Sequence, residues 1–89
     1  MVLVIGDRVK MYANGELVAV GIVRSTDPNE LCQCYRIGPN NVSIFMERCV
    51  KGDILLPFPT MDASEIKDAI GSIVRWDKKN LQLFSGETL

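Results

Sequence analysis

The sequence predicts a mainly β, or α+β, domain: a small, strongly bent antiparallel sheet of four or five strands, an SH3-like half-open barrel, capped by one helix. Three observations carry that expectation. Short apolar or alternating runs are separated by turns rich in Gly, Pro and Asn. One stretch alone, residues 62 to 71, has helical spacing together with start and stop signals. The chain is 89 residues long and 47% apolar, enough for one compact core and too short for two.

The elements follow in order. DRVKMY, residues 7 to 12, alternates, so Val9 and Met11 should face the core and Arg8, Lys10 and Tyr12 the solvent. Asn14-Gly15 takes positive φ cheaply and closes a hairpin. LVAVGIVRS, residues 17 to 25, is apolar on both faces until Arg24, which predicts a central strand, with a bulge or bend at Gly21. STDPNE, residues 25 to 30, is a turn cluster. LCQCYRI (31 to 37) and VSIFMERCV (42 to 50) read as two long strands of one hairpin, with Val42, Ile44 and Met46 sharing a face. Pro57 and Pro59 then forbid ladder pairing.

The helical stretch is the best-signalled local feature. Asp62 is an N-cap residue, and Glu65 stands at capping-box spacing from it. Met61 and Ile66 fit a hydrophobic staple, and Ile66, Ala69, Ile70 and Ile73 form one apolar stripe. Gly71 supplies a left-handed stop. So short a helix must lie on the sheet, hence a lid. SIVRW (72 to 76) resumes as strand, DKKN is a polar turn, LQLF (81 to 84) is a last, edge strand, and residues 85 to 89 form a frayed tail. The whole of 1–89 reads as one domain excised from a larger protein.

Ten basic and eleven acidic residues leave a net charge of −1, so no overall field draws the chain to nucleic acid or to an anionic membrane. The apolar run Val2 to Ile5 is too short for a signal peptide or a membrane span. Three cysteines, Cys32, Cys34 and Cys49, are an odd and sparse set, which predicts reduced intracellular thiols.

A set of landmarks runs through the chain: GDRVKMYANGELVAVGIV, then CYRIGPNNVSIFME, then DILLPFPTMDASEIKDAIGSIVRWDKKNL. Their order resembles that of an uncharacterised plant domain of unknown function that recurs in transposase-derived and related plant proteins. The resemblance implies a nuclear accessory module of a larger plant protein. It brings no catalytic or binding residue with it.

Chemistry finds little purchase. There is no histidine, the usual general acid or base at neutral pH. Asp62, Glu65 and Asp68 are accounted for by capping and by a solvated helix face. CQC puts two thiols on one strand face, with Cys49 the only further thiol, and three thiolates without a fourth ligand make a poor zinc site. No glycine arrangement cradles phosphate. The expectation is therefore a protein that is not an enzyme, with no catalytic residues, no cofactor, no metal and no small-molecule substrate.

What remains is binding. The extended LPFP segment, with Pro57, Phe58 and Pro59, joins Trp76 and Tyr12 as a candidate partner surface for another protein or a second copy. The alternative is a DNA- or RNA-binding patch of Arg8, Lys10, Arg24, Arg36, Arg75, Lys78 and Lys79 around an aromatic ring. A third reading gathers Tyr12, Tyr35, Phe58 and Trp76 into an aromatic cage for modified lysine.

Overall fold

A computed structural model describes residues 2–49 and 71–84. Seven strands lie in these segments: β1 (Arg8–Ala13), β2 (Glu16–Ser25), β3 (Leu31–Cys32), β4 (Tyr35–Arg36), β5 (Asn41–Cys49), β6 (Ile73–Asp77) and β7 (Leu81–Leu83), with a 3-10 turn at Lys78–Asn80. Five of them form one antiparallel sheet in the order β6-β5-β2-β1-β7, while β3 and β4 make a separate two-stranded ribbon.

The alternation in β1 is realised as read: Val9, Met11 and Ala13 are fully buried, and Arg8, Lys10 and Tyr12 face outward. Asn14 and Gly15 take φ of 52° and 78°, the pair of positive values that a tight hairpin of this hand requires. β2 holds the central place in the sheet. Its ladder with β5 slips at Val20/Gly21 and again between Val23 and Ser25, and that with β1 slips at Met11/Tyr12. Each bulge adds local twist, and together they curl the sheet. Gly21 sits at one of them because a Cβ there would collide with Ile44 Cγ2 and the Phe45 carbonyl oxygen.

The curl lets one side chain bridge the sheet. Trp76 on β6 pairs with Val42 on β5, is fully buried, and donates from Nε1 to the Tyr12 carbonyl on β1, 3.1 Å away. Val42, Ile44, Met46, Val74, Val18 and Val23 fill the space around it. Each such side chain taken out of water contributes about 1.5–3 kcal/mol.

This corrects the expected fold class. The protein is mostly β and forms no closed barrel, and no α-helix occurs among the described residues. The ladders stop at β6 on one edge and β7 on the other. The indole of Trp76 stands between the two ends of the sheet, so they meet through side-chain packing instead of through backbone pairing. The capping helix expected over 62–71 and the LPFP segment lie outside the described residues. Gly71 is described, and it has the left-handed φ expected of it, 81°.

A second correction concerns residues 31 to 49. LCQCYRI is not one long strand paired with the next. It folds on itself at Gln33 and Cys34, both with positive φ (54° and 69°), so Leu31 faces Arg36 and Cys32 faces Tyr35. β5 consequently takes β2 as its partner on one side and β6 on the other.

Candidate functional site

The β3–β4 ribbon is tied down at its base by local bonds that the turn residues supply. Asp27 Oδ1 accepts from Asn29 N (2.9 Å), Ser25 Oγ accepts from Asp27 N (3.2 Å), and Gly38 N donates to the Pro28 carbonyl (2.8 Å). Ile37 N donates to Glu30 O, and the buried Ile37 side chain anchors the far leg. Side chains then lean the ribbon on β6. Gln33 Nε2 donates to Ile73 O at 3.4 Å, and Arg75 Nη1 donates to Arg36 O at 3.0 Å while its guanidinium lies 5.1 Å over the Tyr35 ring.

Between ribbon and sheet opens a cleft of about 300 Å³. Its walls come from four places in the chain: Arg24 and Ser25 at the end of β2, Glu30 to Gln33 on the ribbon, Ser43 on β5 and Ile73 on β6. Leu31 and Ile73 line it yet keep 68% and 40% of their surface exposed, and Tyr35, elsewhere on the ribbon, keeps 53%. Three large apolar side chains thus stand in water at one end of the molecule.

Cys32 is buried at the back of the cleft. Burial pushes its thiol above the usual range; Arg75 pulls it partly back, and Glu30 pushes it up again. It is therefore a protonated thiol at neutral pH, packed as a small apolar group. Cys34 is exposed in the turn, so the two thiols of CQC do not share a strand face.

The residues singled out from the sequence are divided by the structure. Trp76 belongs to the core and to no surface, which removes it from the candidate partner surface and from any aromatic cage. Tyr12 is half-buried, its hydroxyl donating to Gln82 Oε1 at 2.9 Å. Pro57, Phe58 and Pro59 lie outside the described residues. The basic set separates into three groups. Arg8 and Lys10 lie over the Phe84 ring, with Arg8 also paired to Glu47 at 3.3 Å. Lys78 and Lys79 occupy the 3-10 turn, where Asp77 Oδ1 caps Lys79 N. At the ribbon end Arg75 reaches the Arg36 carbonyl and the Tyr35 ring, while Arg24 lines the cleft.

Leu31, Ile73 and Ser43 are missing from the sequence-derived candidates. The only signal for them would have been the ribbon turn. Gln-Cys gives no such signal, since Asn and Gly are the residues that announce two positive φ angles.

Among the described residues no helix is long and apolar enough to cross a membrane. Comparison with curated proteins and with solved structures finds no match. A family model described as a domain of unknown function (DUF8039) matches residues 5–84, from just before β1 to just after β7. The match covers nearly the whole chain and every strand of both sheets, and this protein therefore belongs to the DUF8039 family.

Proposed function

We propose that this domain is a non-catalytic interaction module that binds another protein, or a second copy of itself, through the ribbon end of the sheet. The observation that carries the reading is the pair Leu31 and Ile73, large apolar side chains left exposed at one cleft, with Tyr35 a further exposed ring on the same ribbon. Apolar side chains grouped at a concave site favour a protein surface as occupant over solvent. A non-catalytic role is supported by the lack of histidine and by the raised, buried Cys32 thiol, which is a poor nucleophile. The resemblance of the sequence landmarks to a plant domain supports placing the module in a larger, nuclear, transposase-derived plant protein.

The test is affinity capture with the full chain and with the double variant Leu31→Ser, Tyr35→Ser, both changes being at exposed positions that leave the core untouched. Partners that are enriched by the wild type and lost from the variant support the reading. An identical set from both, or enrichment by neither and no concentration-dependent sedimentation, contradicts it.

A nucleic-acid reading has one observation in its favour, the company of Arg36 and Arg75 with Tyr35. It would show as duplex or single-strand binding that falls steeply with salt. The net charge of −1 and the distance in topology of Arg8 and Lys10 from that group weigh against it.

A further inference from the structure

We propose that the β1–β2 turn is a site of spontaneous covalent modification: Asn14 loses its side-chain amide to become aspartate or isoaspartate, and the isoaspartate form loosens the core at Trp76. The proposal is independent of the partner surface at the ribbon.

The chemistry belongs to the Asn14-Gly15 pair. The Gly15 backbone nitrogen gives up its proton to water or hydroxide and attacks Asn14 Cγ. A new N–C bond forms, the Cγ–N bond of the amide breaks, and ammonia leaves, closing a cyclic imide. Water then opens the imide at either carbonyl. One opening gives aspartate; the other gives isoaspartate, in which the main chain runs through the former side chain and is longer by one carbon.

The fold sets Asn14 apart from Asn29, Asn40, Asn41 and Asn80. Asn14 alone is followed by glycine, so no Cβ shields the attacking nitrogen. Even an added Cβ at position 15 would meet nothing within 4 Å, so the surrounding space is open, and both residues are exposed. Elsewhere the reacting groups are held. Glu30 N, which follows Asn29, donates to the Asp27 carbonyl at 3.1 Å, and Asn29 Oδ1 accepts from Arg36 Nη1 at 3.4 Å. Leu81 N, which follows Asn80, donates to the Lys78 carbonyl. Asn40 and Asn41 precede side-chain-bearing residues of β5, and Asn41 Nδ2 donates to the Ile37 carbonyl at 3.0 Å. Ring closure makes the Asn14-Gly15 peptide turn out of its tight conformation, and a hairpin tip is where such opening costs least.

The isoaspartate product has no slack to occupy. Ala13 pairs with Glu16, so residues 14 and 15 alone span the turn, and a longer main chain must displace that pairing. The displacement falls on Ala13, which is fully buried, and on Tyr12, already at a bulge, whose carbonyl accepts from Trp76 Nε1 at 3.1 Å. Aspartate keeps the ordinary backbone and tolerates positive φ as asparagine does, so it leaves this link intact.

The experiment ages the full chain in mildly alkaline buffer beside the free peptide acetyl-Ala-Asn-Gly-Glu-amide and the variant Asn14→Asp. Fragment-ion mapping should find conversion at Asn14 before any other asparagine, more slowly than in the peptide. The isoaspartyl fraction, isolated by chromatography, should show red-shifted emission from the sole tryptophan and a lower urea midpoint. Asn14→Asp should match fresh protein in both. Three results overturn the proposal: Asn14 intact after the peptide has converted fully, conversion of another asparagine at an equal rate, or an isoaspartyl fraction whose emission and midpoint equal those of fresh protein.

Discussion

Trp76 illustrates how much one residue can settle. Its ring fills the core between the two ends of the sheet, and its Nε1–H satisfies the Tyr12 carbonyl. Trp76→Phe keeps most of the packing and leaves that carbonyl unpaired, which should cost about 1–3 kcal/mol in urea denaturation. Gly21→Ala tests the close approach of β2 and β5 directly. The added methyl meets Ile44 Cγ2 and the Phe45 carbonyl, one of them backbone, so a loss of at least ~1–3 kcal/mol is expected. An unchanged midpoint would mean the strands are farther apart than described.

The cysteines give a residue-scale prediction with a pH sign. The folded Cys32 thiol titrates above the unfolded one. The native state therefore keeps its proton at alkaline pH where the unfolded chain has lost it. That stabilisation is intact below the ordinary thiol range and is lost as pH rises through it toward the raised folded value. Cys32→Ser, which does not ionise there, should flatten the alkaline fall in melting temperature. A thiol reagent at neutral pH should label exposed Cys34 well before Cys32, read by fragment-ion mapping of the peptide that holds both. Equal labelling would show that the ribbon opens readily.

At the scale of elements, legibility depended on whether a local signal existed. β1, the Asn14-Gly15 turn, the central β2, the buried face of β5 and the edge position of β7 all follow from alternation and turn chemistry, and all are present. The ribbon was hidden because Gln33 and Cys34 adopt positive φ without being residues that favour it. That strain is testable. Cys34→Gly relieves a left-handed residue at an exposed position and should stabilise the fold by about 0.5–1 kcal/mol, seen as a higher urea midpoint at unchanged slope. A lower midpoint would show that glycine's entropy in the unfolded chain outweighs the relief.

For the molecule as a whole, the sequence pattern conveyed strands and core but not closure. The expected barrel depended on how the sheet ends meet, and that is decided by a single indole and three bulges, which no periodicity encodes. The site was legible only in part for the same reason. Arg36 and Arg75 are far apart in sequence and come together because the ribbon folds back on β6, whereas Arg8 and Lys10 go to Phe84.

The placement of the partner surface at the ribbon, and not at the opposite edge, is the claim on which the functional reading turns. A photo-crosslinking residue introduced at Leu31 and, in a separate protein, at Leu83 on β7 compares the ribbon with the β7 edge of the sheet directly, since both positions are exposed. The expected outcome is partner or second-copy adducts from position 31 with few from position 83. Adducts confined to position 83, or absent from position 31 under conditions where a partner is bound, would contradict it.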